Sequence, residues 1–213
     1  MKSQEILIIW DRSGSMGSVW DDTCKGLDYY LDSTQETSKK EDIKTNVTLV
    51  TFNDKVSTVV ERKDITEVPK VSSLGIVPSG MTSLNDAVGM SVASLRERLS
   101  EKRVQPKVLV VVLTDGGENS SKEYSATQIK SLMSEVDSLE NWSVVMLGAD
   151  IDAWSTASSV GIRNAGQTAT YDKKAPAFMF TSLSKVTSDY MRSASAKSSV
   201  LGLELLAEMG SSN

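Results

Sequence analysis

Apolar and polar positions along this chain switch repeatedly between two spacings, and the switching predicts an order of elements. Residues 5–10 contain the unbroken run Ile6-Leu7-Ile8-Ile9-Trp10, which reads as a strand buried on both faces. From 18 to 38, Val19, Trp20, Thr23, Leu27, Tyr30, Leu31 and Thr34 recur at helical spacing, with Asp21, Asp22, Asp28 and Asp32 on the wet side. Two β-rich runs, 46–53 and 56–61, are separated by Asp54-Lys55, a hairpin signal. Residues 66–80, with two prolines and several serines, predict a loop with one helical turn. A helix over 83–103 places Leu84, Ala87, Val88, Val92, Leu95 and Leu99 on its buried face, with Ser83 as N-cap.

The second half repeats the pattern. Residues 108–114 form a second wholly apolar strand, 125–139 a helix and 142–149 a strand. Residues 151–160 predict a short helix stopped by Gly161, 165–171 a last edge strand, and 175–194 a final helix. Alternating βα units of this kind stack as three layers. The predicted fold is α/β and Rossmann-like, with helices on both faces of a mostly parallel six-stranded sheet. Its one antiparallel edge strand begins near Val56. At 213 residues the chain is long enough to bury about 70% of its unfolded surface. We read one domain over 1–198. The tail, 199–213, mixes serines with Leu201, Leu203, Leu205 and Leu206 and receives no element.

Composition narrows the function. No apolar run approaches the roughly 18 residues of a membrane span, so no membrane partner is expected. A net charge of −5 argues against nucleic acid, whose backbone needs a basic face. Histidine is absent, which excludes imidazole metal sites and Ser-His-Asp catalysis. The single Cys24 has no partner for an internal disulfide, and the N-terminus runs straight into a core strand without a secretory pattern. A cytoplasmic location is therefore expected, and the acceptor-like triplets at Asn46, Asn119 and Asn141 read as chance matches.

Three segments carry candidate chemistry. Asp11-Arg12-Ser13-Gly14-Ser15 follows the first strand and offers a carboxylate and two hydroxyls at alternate positions. Gly80-Met81-Thr82 precedes the helix over 83–103, and Thr114-Asp115-Gly116-Gly117 ends the second apolar strand. Hard oxygen donors of this kind suit Mg²⁺. In a parallel sheet the carboxyl ends of strands share one edge, which would bring Asp11 and Asp115 side by side with Thr82 between them. Taken singly, each has a plain alternative: Ser13 and Ser15 as caps of the next helix, Thr82 as a helix-start residue, Asp115 as a turn aspartate.

Together these motifs resemble the von Willebrand factor type A domain over residues 4–195, of the stand-alone intracellular type found in bacteria and their viruses. The resemblance implies a metal-ion-dependent adhesion site (MIDAS) with Asp11, Ser13, Ser15, Thr82 and Asp115 as ligands of Mg²⁺ or Mn²⁺. It also implies a partner protein that presents an acidic side chain to the cation, and no catalysis. Met16, Met81, Tyr124, Asn119 and Arg12 lie in or beside the ligand loops and are expected at the partner-binding rim. Trp20 divides between rim and core, and its place on the apolar stripe favours core. Ser83 and Glu118 stand near enough to hydrogen-bond the ligands, although a solvated role fits both. Relatives with a second metal site carry an acidic pair three and four residues after the second serine. Those positions are Ser18 and Val19 here, so Asp21 and Asp22 read as surface charges.

Two other classes compete. A Mg²⁺-dependent phosphatase or other hydrolase on a similar sheet needs a second acid two residues after the strand-end aspartate, where this chain has Ser13. No phosphate-binding Gly-x-x-x-x-Gly-Lys loop is present either. A metal-independent assembly adaptor would keep the fold and bind its partner regardless of chelator.

Overall fold

The computed structural model describes residues 2–149, 153–162, 168–171 and 176–193. Its strands are β1 (Lys2–Asp11), β2 (Ile43–Phe52), β3 (Val56–Asp64), β4 (Lys107–Thr114), β5 (Trp142–Ala149) and β6 (Thr168–Tyr171). Its helices are α1 (Trp20–Lys40), α2 (Leu84–Ser100), α3 (Ala126–Asp137), α4 (Ala153–Ser159) and α5 (Pro176–Arg192). The sheet order is β3-β2-β1-β4-β5-β6. Five strands of eight to ten residues make its body, and the four-residue β6 extends one edge. Every pairing is parallel except β2 with β3, the predicted hairpin.

The continuous apolar runs have their cause in two cores. Ile6, Ile8 and Trp10 of β1 pack toward Leu27, Tyr30, Phe180 and Leu183 of α1 and α5. Leu7 and Ile9 pack toward Val88, Val92, Ile129 and Met133 of α2 and α3. A strand covered on both sides has no wet face, so period-two alternation disappears. The chain leaves β1 toward β2 on one side and returns to β4 on the other. That makes the carboxyl ends of β1 and β4 the switch point where ligands of open α/β sheets bind.

Local differences from the sequence reading have specific causes. The helix predicted from 18 begins as a 3₁₀ turn, Gly14–Val19, before α1 starts at Trp20. The loop over 66–80 contains two short turns, at Ile65–Glu67 and Val71–Ser73. The second is held by Asp28, which accepts from Val71 N at 2.5 Å and from the Ser72 hydroxyl at 2.6 Å. Ser83 occupies the predicted N-cap position of α2 but does not cap it, because its hydroxyl donates to Asn53 O. The exposed N–H groups of α2 are satisfied from another loop: Asn85 N donates to Glu118 Oε2 at 2.7 Å and Asp86 N to Ser121 Oγ at 3.0 Å. Gly161, at φ +90°, follows α4 where a Cβ would lie 2.7 Å from Lys130 Cα. Among the described residues no helix is long and apolar enough to cross a membrane. The tail 199–213 and the margins of the last two predicted elements lie outside the described residues.

Candidate metal centre

Register sets the site. Trp10 of β1 stands opposite Leu113 of β4, so the next residues, Asp11 and Thr114, emerge together at the sheet edge. Asp11 is fully buried. Its Oδ1 accepts from Ser13 N at 2.7 Å and its Oδ2 from Thr114 Oγ1 at 2.7 Å. Burial pushes its carboxyl above the usual carboxylate range; hydrogen bonds from Thr114 and Ser13 oppose the shift, and the charge of Asp115 adds to it.

The hydroxyls continue the cluster. Ser13 Oγ lies 3.1 Å from Ser15 Oγ, and Ser15 Oγ donates to Asp115 Oδ1 at 2.6 Å. A Cβ built on Gly116 would sit 3.4 Å from Thr82 Oγ1 and 4.0 Å from Ser15 Oγ. Two of the hydroxyls thus converge on the space that the glycine keeps clear. The structure brings Asp11, Ser13, Ser15, Thr82 and Asp115 together from three loops. Among the described residues no three carboxylates or thiols cluster in the manner of a metal cage. Two carboxylates and three hydroxyls are the donor set on offer.

The Thr82 loop is held from both sides. Gly14 N donates to Gly80 O at 3.0 Å, Ser83 N to Asn53 O at 2.9 Å, and Asn53 Nδ2 to Ser79 O at 2.7 Å. Gly80, at φ +79°, turns the chain where a Cβ would meet Asp54 Oδ2 at 2.5 Å, while Asp54 Oδ1 accepts from Met81 N at 2.8 Å. Across the site, Thr82 N donates to Asn119 Oδ1 at 2.8 Å and Asn119 N to Thr82 O at 3.0 Å. Asp86 then clasps the same β4–α3 loop, accepting from Lys122 N at 2.8 Å, Glu123 N at 2.9 Å and Tyr124 N at 2.8 Å. The sequence reading missed these supports. In the sequence, Asn53 only ends a β-rich run, Asp54 belongs to the hairpin signal, and Asp86 lies inside the helix over 83–103.

The expected rim divides. Met81 is 52% exposed. Arg12 is half-buried, with Nη1 3.4 Å from Val77 O, and Asn119 is exposed although its amide oxygen is spent on Thr82. Met16 and Tyr124 are corrections. Met16 has no exposed surface and belongs to the core under α1, because the 3₁₀ turn points it inward. Tyr124 is half-buried with its ring over Gly89, where a Cβ would meet Cγ at 2.5 Å. Trp20 is core as well: it stacks on Trp10 at 4.2 Å between centroids and donates Nε1 to Ile76 O at 3.1 Å. Asp21 and Asp22 are exposed on α1, the latter 3.6 Å from Lys25 Nζ.

A profile of the von Willebrand factor type A domain matches residues 5–190, nearly the whole of the described chain. The chain belongs to that family. Comparison with curated protein sequences finds no match. Solved structures with this type A fold include the pilus adhesin SpaC from Lactobacillus rhamnosus GG in an open conformation, at 15% identity and TM-score 0.66, covering 92% of this chain and 31% of that one. Proximal thread matrix protein 1 from the mussel byssus, with a zinc-occupied MIDAS motif, aligns at 18% identity and TM-score 0.58 over 90% of this chain and 45% of that one. Manganese-loaded TRAP protein of Plasmodium vivax aligns at 17% identity and TM-score 0.56 over 83% and 71%. The type A domain described here thus spans less than half the length of the first two proteins, and at these identities the likeness is one of fold.

Proposed function

We propose that this type A domain binds a divalent cation, Mg²⁺ or Mn²⁺, through Asp11, Ser13, Ser15, Thr82 and Asp115, and uses it to hold an acidic group of a partner protein. The observation that carries the reading is the continuous contact from Ser13 Oγ through Ser15 Oγ to Asp115 Oδ1, at 3.1 and 2.6 Å. The donor set fits: every atom is a hard oxygen, two carboxylates match the charge of one divalent ion, and Gly116 leaves space beside Thr82 and Ser15. A bound cation would supply a Lewis-acidic contact for an incoming carboxylate oxygen. The chain's own residues do the rest. Thr114 and the Ser13 amide orient Asp11, Ser15 orients Asp115, and Asn119 fixes the backbone of Thr82.

The zinc-occupied MIDAS motif named for the mussel protein, and the manganese named for the Plasmodium protein, support a divalent ion in a domain of this fold. Recognition without catalysis is favoured by the absence of histidine and by Ser13 standing where a hydrolase would need its second acid. The lone thiol, buried on α1, suits a reducing compartment. The test is affinity capture from native extract on the immobilised chain with Mg²⁺, with chelator, and with Thr82→Ala. A partner retained only by wild type with Mg²⁺ is expected. Equal capture under chelation would replace this reading with a metal-independent adaptor.

A further inference from the structure

Near the start of β1, roughly 20 Å along the strand from Asp11, one oxygen atom collects three nitrogen donors. Glu5 Oε1 accepts from Arg62 Nη2 at 2.8 Å, from Lys102 Nζ at 3.0 Å and from Asn46 Nδ2 at 3.0 Å. Register explains two of these contacts. Glu5 and Asn46 are partners in the pairing of β1 with β2, and both are buried. Arg62 lies in β3 where its register with β2 shifts, at φ +40°, and this bulge turns its guanidinium onto the carboxylate. Lys102 comes from the turn after α2, where its N–H donates to Leu99 O. One cation is enough to pair a buried carboxylate, and here there are two. Lys102 is the surplus one, and its amine shares an oxygen with a side-chain amide.

We propose that Lys102 and Asn46 join in an intramolecular isopeptide bond, with Glu5 as the proton carrier. Lysine becomes a nucleophile once a neighbour takes its proton, and a carboxylate that touches both nitrogens serves as base and then as acid. Glu5 Oε1 takes a proton from the Lys102 ammonium, and the Nζ lone pair forms a bond to Asn46 Cγ. Glu5 passes its proton to Nδ2 and the Cγ–Nδ2 bond breaks. The departing ammonia takes the extra proton of the new amide nitrogen and leaves as ammonium. One lysine ammonium and one carboxamide become one secondary amide and one ammonium ion, with no oxidant, reductant or co-reactant. Two nitrogens each 3.0 Å from one oxygen are at most about 6 Å apart, so the half-buried lysine chain need close only a few ångströms to attack. Arg62 stays on Glu5 throughout, so losing the lysine charge leaves no unpaired carboxylate. The product ties β2 to the turn after α2, and a link between segments this far apart in the chain restricts the unfolded state.

Intact-mass spectrometry of the full chain, incubated folded until its mass stops changing and followed by protease digestion, tests this. Wild type is expected to weigh one ammonia less than its sequence, and its digest to contain a branched peptide joining the Asn46 and Lys102 segments. Lys102→Arg keeps a cation beside Glu5 but cannot form the amide. It should carry its full sequence mass and give only linear peptides, while a cooperative urea transition shows that it folds. Glu5→Gln keeps the shape and loses the proton carrier, and it too should keep its ammonia. Wild type at full sequence mass with both peptides linear overturns the proposal. An ammonia loss that persists in Lys102→Arg overturns it as well, since a cyclised asparagine sheds the same ammonia without any branch. A branched peptide in Glu5→Gln overturns the role given to Glu5. None of these outcomes bears on cation binding at Asp11 and Asp115.

Discussion

The Ser15 hydroxyl donates to the Asp115 carboxylate at 2.6 Å across a sequence separation of 100 residues. Parallel register makes the contact possible, since β1 and β4 are neighbours and their ends rise together at one edge of the sheet. It ties the Asp11-x-Ser13-x-Ser15 turn to the Thr114-Asp115-Gly116 turn, and so joins two of the three loops of the proposed cation site.

Asp115→Ala removes that acceptor and one of two carboxylates. At a hundred times its dissociation constant, Mg²⁺ should stabilise wild type by about 2.7 kcal/mol. For a domain of this size that is a rise of roughly 5–10 °C in Tm. The variant should show no rise. Scanning calorimetry with and without Mg²⁺ decides, and equal shifts in both proteins would contradict the ligand assignment.

Asn119→Ala should weaken the cation without unfolding the domain. It deletes the acceptor of Thr82 N and leaves the backbone bond from Asn119 N to Thr82 O intact. One hydrogen bond of about 1 kcal/mol corresponds to roughly a fivefold loss of Mg²⁺ affinity by titration calorimetry. Asn119→Asp keeps an acceptor at the same place and should recover most of the loss. Identical affinities for wild type and Asn119→Ala would remove Asn119 from this role.

Gly26→Ala tests the seam between α1 and α5. A Cβ at Gly26 would fall 1.9 Å from Phe180 Cδ2, and Phe180 is fully buried. Overpacking of this kind costs about 1–3 kcal/mol, more than the ~1 kcal/mol that alanine gains over glycine in a helix. Urea unfolding should show a net loss of stability. A stabilised variant would mean the two helices do not pack as described.

Cys24 should resist alkylation in the native protein. Burial, with the nearby charges of Asp21 and Asp28 adding to it, pushes its thiol up to about 11. At pH 8 about one molecule in a thousand then carries the reactive thiolate. Iodoacetamide should label Cys24 only as fast as the chain unfolds. Tyr30 is also pushed up, to about 12, by burial. Both groups hold their protons longer folded than unfolded, so stability should fall as pH rises from 9 through 12. A stability that stays flat across this alkaline range would refute the burial of both.

The strands, the helices and the residue types of the candidate site were legible because each leaves a local signature. A strand covered on both faces is apolar without interruption, as in Ile6-Leu7-Ile8-Ile9-Trp10 and Val108-Leu109-Val110-Val111-Val112. A covered helix repeats its apolar side every third or fourth residue, as α2 does from Leu84 to Leu99. The oxygen donors stand in short motifs directly after such strands or before such a helix.

Side-chain destinations in the turns left no such signature. Met16 and Tyr124 follow ligand-bearing motifs, yet the 3₁₀ turn sends one into the core and Gly89 receives the ring of the other. Ser83 has the composition of a cap, but the nearest acceptor for its hydroxyl is Asn53 O, thirty residues earlier, and Glu118 takes over the helix end. The chain by itself determined which elements form and which atoms are available to a cation, since periodicity and donor chemistry are properties of neighbouring residues. Only the tertiary structure decided how those atoms are held and which apolar groups stay outside, because hydrogen-bond partners from distant segments compete for each turn and the winner depends on how the strands are ordered in the sheet.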